Sequence, residues 1–411
     1  MDKVPKYKWV NVKTGREIMN RMKNGESESS AEMPFQNYDL VCLSHLRWDF
    51  VYQRPQHLMS RFARQRRVFF VEEAIVHDEA TYFAVSQRED KLQVVVPHLN
   101  RAEVESVGFD ALIREKLNEF FSESAIKDFV LWYYTPMALA FTSELKPKAI
   151  VYDCMDELSL FKFAPPELIK NEARLFQKAN VVFTGGQSLY EAKRRQHKNA
   201  WAFPSSIDVA HFKQARSINE SPSDQSAIPS PILGYTGVID ERIDIELIRE
   251  IAEKRPEWQI IMIGPVVKID EKDLPHNENI HYLGMKDYKD LPRYISGWDV
   301  ALMPFAINDS TKFISPTKTP EYLAAGKPVI STAIRDVVRS YGEQNLVAIA
   351  GTSDEFIKAA EAALREDRTE KMKEVDKFLM QTSWDKTFRR MSDLISEAIA
   401  ESHSMTARST A

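Results

Sequence analysis

Residues 129–183 read FVLWYYTPMALAFTSELKPKAIVYDCMDELSLFKFAPPELIKNEARLFQKANVVF, and the fold follows from this stretch. Three near-continuous apolar runs, Phe129–Tyr134, Ala149–Tyr152 and Val181–Phe183, are separated by more polar segments, one of them a helical pattern over Pro166–Lys178. Strands that are apolar on both faces belong to a parallel sheet covered on both sides by helices. Upstream, the same rhythm predicts strands at Tyr38–Leu43, Val68–Val71 and Leu92–Val96 and helices over Gln56–Gln65 and Phe109–Phe121. Downstream, the polar Ser- and Pro-rich segment Ser217–Pro231 has linker composition. A second series follows it: strands at 232–236, 259–263, 280–283, 300–303 and 328–332, and helices over 244–254, 288–297, around Glu321, 353–365 and 384–401.

The expectation is an α/β protein of two facing Rossmann-like, doubly wound parallel-sheet domains with a cleft between them. A first domain spans 36–215, a linker 216–231 and a second domain 232–383, with helix 384–401 packing back toward the first. Residues 1–35 and 402–411 are polar and aperiodic and read as tails, the first of them mobile. Ligands in such sheets bind beyond the carboxyl ends of the strands, so the loops after strands are where chemistry is expected.

The 411 residues carry 55 Lys+Arg against 60 Asp+Glu, a net charge of -5. That balance gives no global attraction to nucleic acid. The two cysteines, Cys42 and Cys154, sit inside apolar runs, as expected of buried, reduced thiols in a cytoplasmic protein. No run approaches the roughly 20 apolar residues of a membrane-spanning helix.

Lys312–Thr332, KFISPTKTPEYLAAGKPVIST, is the richest segment for chemistry. Pro316 and Pro320 place a helix start around Thr317–Pro320. Free backbone N–H groups there, with the Lys318 ammonium and nearby hydroxyls such as Thr317, suit a phosphate. Glu321, one turn on, can accept hydrogen bonds from two ribose hydroxyls. Spacing alone equally permits a surface helix with a solvated lysine.

This segment resembles the donor-binding signature of GT-B glycosyltransferases of the family 4, or group 1, type, in which a Glu precedes an Ala-Ala-Gly-Lys-Pro-Val turn. The resemblance runs from about Tyr38 to Ser396. It includes Gly234-Tyr-Thr-Gly237-Val-Ile-Asp-Glu-Arg242-Ile-Asp244, Ile263-Gly264-Pro265, His281-Tyr-Leu-Gly284 and Trp298-Asp299. Ser44-His45-Leu46-Arg47-Trp48 and Gln53-Arg54-Pro55-Gln56-His57-Leu58 are similar to a subgroup of bacterial envelope-polysaccharide transferases. The resemblance implies a transferase that moves a sugar, from a UDP-linked donor by preference, to a glycan or lipid-linked glycan, with Glu321 on the ribose and Arg242 and Lys318 on the diphosphate. Two positions depart from the pattern: Phe313 stands where a second Glu usually touches the transferred sugar, and Pro320 replaces the apolar residue commonly found there. Asp309 or Asn308 is then expected to supply that contact.

Arg242 and the Gly237 N–H are expected to approach the diphosphate from the side opposite Lys318, although Arg242 can also pair with Glu241 or Asp244. The chain has no Asp-x-Asp pair, so a metal-independent reaction without a cofactor is expected, the cations stabilising the departing diphosphate. In the first domain His45, just past the first strand, is a candidate general base. Asp153 and Asp156 are carboxylate candidates for base catalysis, Asp156 equally for helix capping. Arg47, Trp48, Arg54 and His57 are expected around the acceptor. Gly185-Gly186-Gln187-Ser188 reads as a tight turn ahead of a helix more than as a phosphate loop. The basic runs Arg61–Arg67 and Lys193–Lys198 are solvated faces or contacts to the inner membrane surface. Two other readings remain at this stage, a GT-B sugar-nucleotide epimerase and a non-catalytic scaffold.

Overall fold

The computed structural model describes residues 37–409, so the expected N-terminal tail lies outside the described residues. Two sheets organise the described residues, parallel throughout except for β4 of the first. The strands of the first are β1 (Asp39–Leu43), β2 (Val68–Val71), β3 (Ile75–His77), β4 (Tyr82–Glu89), β5 (Leu92–Asn100), β6 (Phe129–Tyr133), β7 (Ala149–Cys154), β8 (Val181–Thr184) and β9 (Ala200–Ala202). Their order is β3-β5-β2-β1-β6-β7-β8-β9, with β4 attached to β5. The second lobe holds β10 (Ile232–Thr236), β11 (Gln259–Ile263), β12 (Ile280–Gly284), β13 (Val300–Met303), β14 (Val329–Ser331) and β15 (Ala348–Ile349), in the order β12-β11-β10-β13-β14-β15. Strand order reverses beside β1 in one sheet and beside β10 in the other, so the loops after β1 and β10 open at the switch points where ligands bind.

The core strands are buried end to end: every residue of β2, β6, β8, β10 and β13 is enclosed. Gly234 in β10 is there because of its neighbour, since a Cβ at that position would lie 2.0 Å from Cδ2 of Trp298. Both cysteines are buried and free.

Helix Trp384–Ser409 lies on the first lobe, with Trp384, Met391, Leu394, Ile395, Ala398 and Ile399 joining the core under β1, β6 and β7. Each large apolar side chain buried this way contributes about 1.5–3 kcal/mol, which is why a helix that follows the second lobe in sequence returns to the first. It continues to Ser409, beyond the expected start of a tail at 402.

The edge of the first sheet differs from expectation. β5 runs to Asn100 and pairs antiparallel with β4, an element without a sequence signal because most of its residues are exposed and no apolar alternation marks it. The expected helix over 288–297 begins as a short 3-10 turn at Tyr288–Asp290 and becomes α-helical at Leu291. The segment read as a linker is bound along the second lobe: Gln225 is buried, donates to the Tyr294 carbonyl (2.9 Å) and accepts from Trp298 Nε1 (3.2 Å), and Asp224 pairs with Lys286 (2.7 Å).

Candidate active site

The loops after β1, β7, β10, β11 and β12, together with the chain leading into helix Lys318–Ala324, surround a cleft made of two recesses. The first, about 380 Å³, is lined by Trp48, Tyr52, Thr236, Gly264, Pro265 and the loop Met285–Lys289. The second is lined by Gln53, Arg54, Asp156, Ser205, Arg242, Ser315 and Thr317. Val51, Gly237 and Lys318 line both.

Gly237 has φ +152° and Gly264 φ +147°. A Cβ on Gly264 would lie 1.8 Å from the Gly237 carbonyl oxygen, so the loops after β10 and β11 pack backbone against backbone. The Gly237 N–H donates to the Ile263 carbonyl (2.9 Å). It is therefore not free for a phosphate, which corrects the expected role: Gly237 supplies room beside Arg242, not a donor.

Arg242 is held from one side only. Its Nε donates to Asp240 Oδ1 (2.9 Å) and Nη2 to Asp240 Oδ2 (2.7 Å), and its backbone N–H also meets Asp240 (3.0 Å). Asp240, not the expected Glu241 or Asp244, is its partner; Asp244 instead caps helix Ile245–Lys254 at the Leu247 N–H (3.0 Å). The guanidinium lies 5.5 Å from the ring of Phe161 in the first lobe, so this cation faces both lobes. Opposite, Lys318 Nζ donates to Glu321 Oε2 (3.0 Å). Glu321 is buried, which pushes its carboxyl above the usual range against the pull of Lys318. Thr317 precedes the first helical turn without capping it through its side chain.

In the first lobe Asp156 lines the second recess, partly exposed, with its pKa raised to about 6 by burial, against the opposing influence of Arg242 and Arg54. The other carboxylate candidate is different in kind. Asp153 is fully enclosed and clamped by Arg54, whose Nε and Nη2 reach its two oxygens at 3.0 and 2.8 Å while Nη1 donates to the Phe203 carbonyl (2.7 Å). This buried pair ties helix Arg54–Ala63 to β7 and to the chain after β9, so neither Asp153 as a catalyst nor Arg54 as an acceptor ligand stands.

His57 is likewise corrected. It is buried, and its ring stacks on Trp384 (4.5 Å, 11°), which makes it part of the anchor of the last helix. His45 keeps its place past β1, but burial lowers its pKa to about 4 and its Nδ1 is enclosed without a partner. A neutral imidazole with that pKa is a poor general base at pH 7. Arg47 pairs with Glu72 (2.8 Å) and the Glu73 carbonyl (2.8 Å). Trp48, seated against Phe70 (5.0 Å), remains on the cleft wall.

Asp309 begins an exposed turn capped by Asn308 and lines neither recess, so the expected sugar contact is not there. Phe313 packs across on the first-lobe apolar cluster that contains Leu131, Tyr152 and Leu189. Its side chain is thus committed to contact between the lobes, and the polar groups of that stretch of the cleft are Thr317, expected from the sequence, with Ser205 and Ser315, which the sequence did not single out. Asp240 was also missed, although its spacing two residues before Arg242 was a usable signal.

Gly185–Ser188 forms no phosphate loop. Asp336 of the second lobe occupies the start of helix Gln187–Lys193, accepting from the Ser188 N–H (3.1 Å) and hydroxyl. Glu191 of the same helix pairs with Arg335 (3.2 Å) and Arg339 (3.0 Å). Trp132, Tyr133 and Tyr134 are all core. Of the first basic run, Arg61 is buried against Asp385 (2.9 Å) and Arg67 pairs with Asp39 (2.8 Å). Among the described residues no group of three or more His, Cys, Asp or Glu is placed to hold a metal ion, and no helix is long and apolar enough to cross a membrane.

Residues 230–366 match the family described as Glycosyl transferases group 1. The match lies on the second lobe, and the two-sheet architecture of the whole chain is the GT-B fold. Among curated proteins it is 24% identical, over 64% of this chain and 70% of the relative, to the "Putative teichuronic acid biosynthesis glycosyltransferase TuaH" of Bacillus subtilis (strain 168). Its fold matches sucrose-phosphate synthase from Thermosynechococcus elongatus (TM-score 0.66, 13% identity, 89% of this chain and 100% of that one). It also matches HepE of Anabaena in complex with UDP-glucose (TM-score 0.63, 12% identity, 87% of this chain and 99% of that one).

Proposed function

We propose that the protein transfers a sugar from a UDP-linked donor to a glycan or lipid-linked glycan acceptor in envelope polysaccharide synthesis, without a metal ion. The observation that carries this reading is the pair of cations, Arg242 and Lys318, on the walls of one cleft whose opposite wall carries Asp156. The nucleotide lies along the loops after β10, β11 and β12, with Glu321 exchanging Lys318 for ribose hydroxyls. Lys318, released, and Arg242, oriented by Asp240, then meet the diphosphate. As the bond between the sugar C1 and the diphosphate oxygen breaks, the charge on the departing UDP falls between these two cations, in a site partly shielded from water. Asp156, ionised at neutral pH, takes the proton of the acceptor hydroxyl as the new C1–O bond forms. The absence of an Asp-x-Asp pair from the sequence supports the metal-free route. The naming of the Bacillus relative supports the acceptor class, and the HepE complex with UDP-glucose supports the donor.

Incubation with UDP-, GDP- and TDP-sugars in the presence of a chelator tests the reading. Slow hydrolysis of a UDP-sugar to UDP is expected. Interconversion at C2 of the sugar without UDP release would point to an epimerase instead, and failure to bind any nucleotide would contradict both.

A further inference from the structure

The outer flank of the first lobe carries a feature that sugar transfer does not use. Lys170, Arg174 and Lys178 follow one another at every fourth position of helix Glu167–Lys178, a stripe of about 12 Å. All three are exposed, as are Arg194, Arg195 and Lys198 just past the neighbouring helix Gln187–Lys193. The two helices are locked side by side by Lys193–Glu172 (2.8 Å) and by His197 Nε2 against the Ala179 carbonyl (2.9 Å). None of the six cations has a salt-bridge partner among the described residues, and of the acids on the two helices only Glu167 is both exposed and free of an ion pair there.

At the cleft end of this stripe the surface turns apolar. Phe163 is 78% exposed, Ile169 65% and Leu160 36%, three uncovered side chains in the segment that leads into the first turns of helix Glu167–Lys178. Phe163 sits at φ +66°, a conformation an aromatic residue rarely adopts, and it follows Phe161, whose ring lies against Arg242 in the cleft. An apolar tip at the end of a row of cations without salt-bridge partners matches the interface of an anionic bilayer, where rings enter the acyl boundary and ammonium and guanidinium groups meet phosphate headgroups. A soluble polyanion would engage the cations but has no use for Phe163 and Ile169.

We propose that this flank, residues 158–170 with the outer faces of helices Glu167–Lys178 and Gln187–Lys193, docks the enzyme on an anionic membrane surface with the cleft mouth beside the lipid. The inference deepens the lipid-linked acceptor reading, yet docking is measurable with neither donor nor acceptor, so either can fail alone. The full chain is sedimented with vesicles of phosphatidylcholine, alone or mixed with phosphatidylglycerol. Binding to the mixed vesicles only is expected, weakening as salt is raised. Each basic residue near such a surface contributes about a fivefold factor in partitioning, so Arg174→Glu should lower it by at least that much. Phe163→Asp should lower it comparably. Lys358→Glu, on a helix of the second lobe, should leave it unchanged. Both flank residues are exposed, and melting temperatures at the wild-type value would confirm that the variants fold. Equal sedimentation with neutral vesicles, wild-type binding by both variants, or binding that Arg174→Glu weakens while Phe163→Asp does not, as for a soluble polyanion, would each overturn the proposal.

Discussion

Lys318 and Glu321 form an ion pair, 3.0 Å from Nζ to Oε2, with the two side chains 13% and 5% exposed. Removing one partner of a buried pair leaves the other charge uncompensated, at a cost of about 3–5 kcal/mol. Lys318→Ala should therefore lower unfolding free energy in urea by about 3 kcal/mol at pH 8. The loss should shrink at lower pH. The Glu321 carboxyl is already raised by burial, so its stability contribution is present at low pH and lost as pH rises through its folded pKa. Without Lys318 that pKa rises further, and protonation removes the unpaired charge. A pH-independent loss would contradict this picture of the pair.

Asp240 grips Nε and Nη2 of Arg242, which lines the second recess. Asp240→Asn should release the guanidinium from its fixed orientation. A hydrogen bond to a charged group contributes about 1.5–3 kcal/mol, so the dissociation constant for UDP should rise roughly tenfold or more. Binding of uridine, which lacks the diphosphate, should not change. Equal weakening of both ligands in calorimetry would show that Asp240 merely supports the loop.

The acid limb of the pH profile should belong to Asp156. Burial raises its pKa to about 6, so transfer should fall as pH drops below about 6, and Asp156→Asn should abolish that limb along with most of the rate. The sign for stability is opposite to that of an ordinary paired carboxylate. A raised folded pKa means that the contribution is complete below pH 4 and lost as pH rises through 6, so Asp156→Asn should gain in melting temperature relative to wild type over that interval.

The lobes are also joined away from the cleft. Asp336 accepts from the Ser188 N–H at 3.1 Å and from its hydroxyl, capping a first-lobe helix from the second lobe. Loss of a helix cap costs about 0.5–2 kcal/mol. Asp336→Ala should lower the urea midpoint accordingly, with the slope unchanged. Gly186→Ala should act in the same direction, because its Cβ would lie 2.4 Å from Asp336 Oδ2. Wild-type midpoints for both would show that the contact does not hold the lobes.

What could be read from the sequence follows a physical division. Strands such as Phe129–Tyr133 and Ile232–Thr236 are continuous apolar runs because both of their faces are covered, and such runs are visible without a structure. β4, mostly exposed at a sheet edge, carries no such pattern. In the site, Arg242, Lys318 and Asp156 were legible as polar residues just past strands or before a helix. Asp153 and His57 looked equivalent in that respect. Their actual partners, Arg54 and Trp384, lie 99 and 327 positions away along the chain, and no local spacing predicts a buried ion pair or a ring stack at that range. Phe313 reads as a lost glutamate in the motif, and only its packing on the first-lobe cluster accounts for an aromatic residue there.

If Glu321 anchors a uridine nucleotide in the second lobe, calorimetric titration of UDP into wild type and Glu321→Ala will report the loss of that anchor. A carboxylate accepting ribose hydroxyls contributes about 1.5–3 kcal/mol per bond. One UDP per chain is expected for wild type and affinity weaker by roughly tenfold or more for the variant, with its melting temperature showing that it remains folded. Unchanged affinity in a folded Glu321→Ala protein would mean that Glu321 does not touch the nucleotide.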